Sequence, residues 1–213
     1  MIESEQMLHR RARKGSGRTV AAFTADRYRR NTFTRYNNFR MATINRQDIL
    51  AALMRLGELA AAREEQLDLL LLGGGVMVVV FGTRNATRDL DVVILSPADR
   101  GHVRELAATV ADEKHWPSDW LNDAAKGFLI GPADGPIIFQ SPGIVVRRPS
   151  IEQLLAMKLC AWRDDVDIAD ARRLLQELSG SQQEIWERVK AFLQPGKELK
   201  ATYAFDDLCE ERQ

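Results

Sequence analysis

The sequence predicts an α+β domain over residues 41–213, a small mixed β-sheet flanked by helices and followed by a helical C-terminal part. Three observations predict it. Short, nearly all-apolar or apolar-rich runs of strand length occur at Leu67–Leu72, Asp89–Leu95, Pro136–Gln140 and Ile144–Arg148. Stretches with apolar residues at helical spacing precede and separate them. Beyond Arg148 the helical spacing continues with no further strand pattern, so the sheet core falls in 67–148 and the helical part in 150–195.

Taken in order, Asn45 is placed to cap a first helix with Asp48 in its opening turn. Ile49, Leu50, Leu53, Leu56, Leu59 and Ala60 carry its apolar face, with a helix expected as far as about Gln66. Leu67–Leu72 ends in Gly73-Gly74-Gly75, read as a buried strand running into a tight turn. Val76–Phe81 reads as a short helix despite its β-branched valines. Gly82–Arg88 reads as a loop and Asp89–Leu95 as the next strand.

The segment Pro97–Lys114 has a helical period through Val103, Leu106, Ala107 and Val110. Ser118 is placed to cap a short helix through Trp120, Leu121 and Ala124. Strands at Pro136–Gln140 and Ile144–Arg148 flank a Ser141-Pro142-Gly143 turn. Helices at Ile151–Trp162, Val166–Leu178 and Gln182–Leu193 finish the pattern, the last closed by Pro195-Gly196.

Residues 1–40 differ in kind. They hold ten Arg and Lys against Glu3, Glu5 and Asp26, giving about +7, while the remainder is about −7 within a net charge of +0. With no sustained apolar period, this basic extension is expected to be disordered or loosely helical. Three readings stand: a nucleic-acid-binding arm, an arginine-rich targeting peptide that the three acids argue against, or a segment preceding a true start at Met41.

Composition excludes several classes. The longest apolar stretch, Leu67 to Phe81, is interrupted by Asp68 and three glycines and is too short to span a bilayer, so no membrane association is expected. Cys160 and Cys209 have no second thiol or histidine at ligand spacing, which argues against zinc or a disulfide scaffold and fits a reducing, cytoplasmic setting. Cys160 reads as a buried small hydrophobe. His9, His102 and His115 form no metal pattern.

The chemistry is concentrated in two clusters. The first is Leu71-Leu72-Gly73-Gly74-Gly75 followed by Thr87-Arg88-Asp89-Leu90-Asp91-Val92. Alternation along a strand puts Asp89 and Asp91 on one face and Leu90, Val92 and Ile94 on the other. Two carboxylates side by side repel unless a cation offsets them, and hard oxygen ligands suit Mg²⁺ or Mn²⁺. A metal held this way serves phosphoryl or nucleotidyl transfer. Gly73, Gly74 and Gly75 let backbone amides approach phosphate oxygens, and Arg84 and Arg88 offer forked donors to a phosphate. An isolated Asp-x-Asp has low specificity; its setting between strand, glycines and strand raises it.

The second cluster lies in the C-terminal helices. Ile151, Leu154, Leu155, Lys158 and Trp162 share one helix face, so Lys158 occupies an apolar phase and needs a negative partner. Asp167 and Asp170, three apart on the next helix, are surface neighbours. From spacing alone, a structural salt bridge (Lys158 with either acid, or Asp170 with Arg173) outweighs a functional role.

Together these segments, from about Leu67 to Leu178, resemble the nucleotidyltransferase superfamily, with its glycine turn after one strand and Asp-x-Asp on the next. Lys158-Leu159-Cys160-Ala161-Trp162-Arg163 and Asp167-Ile168-Ala169-Asp170 are similar to the lysine and aspartate motifs of the AbiEii-like toxin nucleotidyltransferases. Trp120-Leu121-Asn122-Asp123 also looks like a phrase of that group. The resemblance implies a nucleotidyltransferase-like fold, with Asp89 and Asp91 holding Mg²⁺ or Mn²⁺ and Lys158 contacting nucleotide phosphates or orienting the acceptor. Asp167 or Asp170 would complete the site as a base or by positioning Lys158.

It further implies nucleotidyl transfer from a nucleoside triphosphate to a hydroxyl of RNA (a tRNA end) or of a protein, and a toxin role with an antitoxin protein as partner. Two departures set this chain apart: glycines replace the superfamily's glycine-serine pair, and 136–140 and 144–148 carry no third carboxylate, Asp134 merely preceding one. They keep two other readings open, a catalytically degenerate nucleotide-sensing module and an RNA-binding protein acting through its basic arm.

Overall fold

The computed structural model describes residues 43–210, and residues 41–213 form a unit of their own; the basic segment 1–40 lies outside the described residues. The architecture is α+β: seven α-helices among the described residues, a five-stranded mixed sheet and a two-stranded sheet. No helix among those residues is long and apolar enough to cross a membrane.

The first helix, α1 (Arg46–Ala61), opens as its sequence requires. Asn45 Oδ1 accepts the Asp48 amide at 3.0 Å, and Asp48 Oδ2 accepts the Asn45 amide at 3.4 Å. The helix ends five residues before Gln66, because the apolar period stops at Ala60 and Glu64 turns the chain with φ 60°. Its buried face meets the hairpin of β6 (Ile137–Ser141) and β7 (Ile144–Arg147) at Gly57. A Cβ there would lie 2.5 Å from the Ile144 side chain and 2.6 Å from the Pro142 carbonyl. Gly57→Ala is therefore expected to destabilise by about 1–3 kcal/mol, opposing the roughly 1 kcal/mol that alanine gains in a helix interior. A thermal melt at or above the wild-type midpoint would refute that close packing.

The five strands run in the order β5 (Leu121–Asn122), β4 (Leu90–Ser96), β2 (Leu67–Leu71), β7, β6. β2 is the spine, antiparallel to β4 and parallel to β7, and Leu67, Leu69, Leu70 and Leu71 are all fully buried. Asp68, the polar break in this run, accepts the Arg147 Nε of the neighbouring strand at 3.0 Å. β1 (Ile44–Asn45) and β3 (Ala86–Thr87) form the two-stranded sheet, so the stretch read as a loop over Gly82–Arg88 contains a strand. The main core gathers α1, the sheet, α3 (Arg100–Lys114) and the C-terminal helices α4 (Ile151–Ala161), α5 (Asp165–Gln176) and α6 (Gln182–Val189). Cys160 belongs to that core, and burial pushes its thiol pKa up.

Three expectations are corrected. The glycines do not form a turn ahead of a helix: they are its first residues, α2 (Gly73–Val76), which widens into a π-helical turn at Met77–Phe81. Gly73 makes the entry with φ 55°, a conformation that glycine adopts without strain. The segment after Ser118 is not a helix through Trp120 and Leu121. Trp120 is sunk under α3, its indole N–H donating to the Ala107 carbonyl at 2.9 Å, and the chain beyond it runs extended as β5 along β4. A 3₁₀ turn at Ala124–Phe128 follows. Finally, Pro195-Gly196 does not end the helical part, because α7 (Glu198–Glu210) packs Ala201, Ala204, Phe205 and Leu208 into the core.

Candidate active site

A cleft of about 840 Å³ opens where the N-terminus of α2, the start of β4 and the junction of α4 with α5 converge. The fold places most residues of the two sequence clusters on its walls: Gly73 and Gly74 from α2, Arg84, Arg88, Asp89 and Asp91 around β3 and β4, and Lys158 and Asp167 from the helices. Two do not reach it. Gly75 faces the core, where an added Cβ would meet Leu71 and Leu90 at 2.9 Å, and Asp170 lies fully buried behind the wall.

Asp91 sits within β4 and Asp89 just before it, both half-buried, while Leu90 and Val92 point into the core. Asp89 Oδ2 accepts the Asn122 side-chain amide at 3.2 Å, and Asn122 pairs in register with Asp91 across β4 and β5. Burial first, and the charge of Asp89 second, push the Asp91 carboxyl pKa up; the Ala125 amide, Lys158 and Arg163 only partly oppose them. Gly73 backs directly onto this carboxylate, so a Cβ there would lie 2.7 Å from Asp91 Oδ2. Gly74 likewise lets its neighbours approach closely, since a Cβ there would lie 2.6 Å from Thr87 Oγ1 and 3.2 Å from the Arg84 guanidinium.

This donor set fits a hard divalent cation. The Asp91 carboxylate carries negative charge that its surroundings only partly offset, and Asp89 stands beside it on the same cleft. The glycines at 73 and 74 allow the backbone to approach closely, where a Cβ would clash with Asp91 and Thr87. Among the described residues no group of three or more His, Cys, Asp or Glu side chains is gathered as a metal site. A cation held by Asp89 and Asp91 would take its other ligands from water and substrate phosphate, the manner in which Mg²⁺ is commonly held.

The opposite wall is an ion-pair network. Lys158, on the apolar face of α4, is buried, and its Nζ donates to Asp167 Oδ1 at 2.9 Å and lies 2.8 Å from Asp170 Oδ2. The lysine at an apolar phase thus has its negative partners, and they are both acids of α5. Arg84 donates from Nε to Asp170 Oδ1 at 3.0 Å and from a terminal nitrogen to Oδ2, with Thr83 Oγ1 adding a bond at 3.2 Å. The arginine expected to grip phosphate is thereby committed to a buried carboxylate. Arg88 stands exposed at the cleft.

Burial alone would raise the Asp167 pKa. The hydrogen bonds and charges of Arg163 and Lys158 outweigh it and hold that carboxyl at about 2, so it does not accept a proton near neutral pH. A depressed acid contributes stability above its unfolded pKa, about 3.9, and loses it as pH falls through the folded value. The unfolding free energy of the wild type, read from urea denaturation, is therefore expected to fall between about pH 4 and pH 2 by on the order of 2 kcal/mol, with a shallower fall in Asp167→Asn. Equal slopes would refute this.

Two residues at the site had no role assigned from sequence. Asn122 steadies Asp89 only because β5 lies in register with β4, a tertiary pairing of two residues. Arg163 reaches the cleft because Trp162 ends α4 with φ 35° and turns the chain sharply. Comparison of the chain with protein-family models, curated proteins and solved structures gave no match.

Proposed function

We propose that this protein is a nucleotidyltransferase-like enzyme that moves a nucleotidyl group from a nucleoside triphosphate, with Mg²⁺ or Mn²⁺, to a hydroxyl of RNA or protein. The observation that carries the reading is the convergence of Gly73, Gly74, Asp89, Asp91 and Lys158, far apart in sequence, on one cleft. Side-chain-free backbone, a carboxylate pair and cations are what a metal–triphosphate complex requires. In the reaction the acceptor oxygen attacks the α-phosphorus, its bond to pyrophosphate breaks, and the hydroxyl proton passes to solvent or a base. A bound metal would neutralise the triphosphate and the departing pyrophosphate. Asp89 and Asp91 would hold it, and Asn122 fixes the first of them. Lys158, with two of its donors on Asp167 and Asp170, keeps one further N–H for a phosphate or acceptor oxygen.

A tRNA-like acceptor and a toxin role opposed by an antitoxin belong to the same proposal, on the resemblance of the lysine and aspartate segments alone. Purified protein incubated with labelled nucleoside triphosphates, Mg²⁺ and total RNA should transfer label to RNA or protein. No transfer with any of the four nucleotides would overturn the enzymatic reading. A second reading, a nucleotide sensor without turnover, is favoured by the full pairing of Asp167 and Asp170, which leaves neither acid at liberty to act as a base. Saturable nucleotide binding without product would select it.

A further inference from the structure

We propose that Arg163 is the residue that grips the phosphates of the nucleotide in this cleft, with Asp167 as its positioning residue. The inference rests on the nucleotide-binding reading above and deepens it. Arg163 follows the left-handed Trp162 in the turn between α4 and α5, so its side chain emerges at the cleft wall. Its Nε donates to Asp167 Oδ2 at 2.9 Å, and its backbone N–H reaches the same oxygen at 3.3 Å.

The anchor is 2% exposed, yet the arginine side chain is 73% exposed. One edge of the guanidinium is thus fixed to a buried carboxylate, and its terminal N–H groups remain available to an incoming anion. The charges of Arg163 and Asp91 act on each other, which sets the cation and the metal-binding acid at a common cleft. A triphosphate bound with a cation at Asp91 would offer its phosphate oxygens to Arg163 on the same cleft.

The other cations are less suited. Arg84 spends its fork on Asp170, and Lys158 is nearly buried with two donors on carboxylates. Arg88 is exposed at the cleft without a comparable buried anchor among the described residues. The competing explanation is a staple: Arg163 with Asp167 is an i,i+4 pair that fastens the first turn of α5. A staple affects stability alone, whereas a phosphate ligand affects affinity in proportion to the phosphates present.

The test is calorimetric titration of the full chain with Mg²⁺ and, separately, the four nucleoside triphosphates, the matching monophosphates and inorganic tripolyphosphate. Arg163→Gln should weaken triphosphate and tripolyphosphate binding roughly ten- to a hundred-fold, as expected for a charge-assisted bond, with a smaller loss for monophosphates. Arg163→Lys should recover part of the loss. Arg55→Gln, which removes an exposed arginine paired with Glu113 and Glu58, should leave affinity unchanged. Wild-type affinity in Arg163→Gln, with only a lower melting temperature, would establish the staple and overturn the inference alone. No binding of any of these probes by the wild type would overturn the nucleotide reading and the inference with it.

Discussion

Replacing Lys158 with methionine should destabilise the folded chain by about 3–5 kcal/mol, the cost of removing one partner from a buried ion pair. Its side chain is 10% exposed and its ammonium sits between Asp167 and Asp170, whose side chains are 2% and 1% exposed. Methionine preserves most of the aliphatic stem, so little of the loss is packing. What remains is two buried carboxylates with Arg163 and Arg84 as their surviving partners. Urea unfolding should show a lower midpoint at an unchanged slope. Adding Asp167→Asn to Lys158→Met should return part of the stability, because the second change removes a charge that the first left uncompensated. A single substitution costing less than about 1 kcal/mol would mean that the cluster is hydrated, contrary to its burial.

The same lysine shows what was legible in the sequence. A cation at an apolar helical phase must find an acid, and Asp167 and Asp170 were the acids one helix away. Their joint capture of one ammonium follows from that logic. The strand alternation that sends Leu90 and Val92 inward and leaves Asp91 at the cleft was legible for the same reason: a period of two has only one buried phase.

What could not be read depends on contacts across the fold. β5 consists of Leu121 and Asn122, too short for any periodicity, and exists because Trp120 anchors beneath α3 and the edge of β4 accepts it. The role of Arg84 depends on which acid its loop is folded against, and the loop sequence does not specify Asp170. Likewise α7 lies beyond a Pro-Gly stop, where only packing of Ala204, Phe205 and Leu208 against the core decides that the chain becomes helical again.

Replacing Asp91 with asparagine should cut the proposed nucleotidyl transfer on the order of a thousand-fold or more, since a metal's stabilisation of developing charge is worth several kcal/mol. The same change should raise the melting temperature at neutral pH. The Asp91 pKa lies above its ordinary value because burial and Asp89 both disfavour the charged form. The native state then binds the proton more tightly than the unfolded chain does, so stability falls as pH rises through the elevated pKa. Above it the ionised Asp91 is a standing cost that asparagine removes, while the amide oxygen still accepts the Ala125 N–H. At pH values well below it, where Asp91 is already neutral, the two proteins should melt alike.

Mg²⁺ reverses the order. A cation that binds only the folded wild type stabilises it as concentration rises, so its melting temperature should climb with Mg²⁺ while that of Asp91→Asn stays nearly flat. Functional carboxylates held together against their repulsion predict this pairing of lost activity with gained stability. An Asp91→Asn protein that is less stable than wild type at neutral pH and still responds to Mg²⁺ would remove the aspartate pair from the metal site.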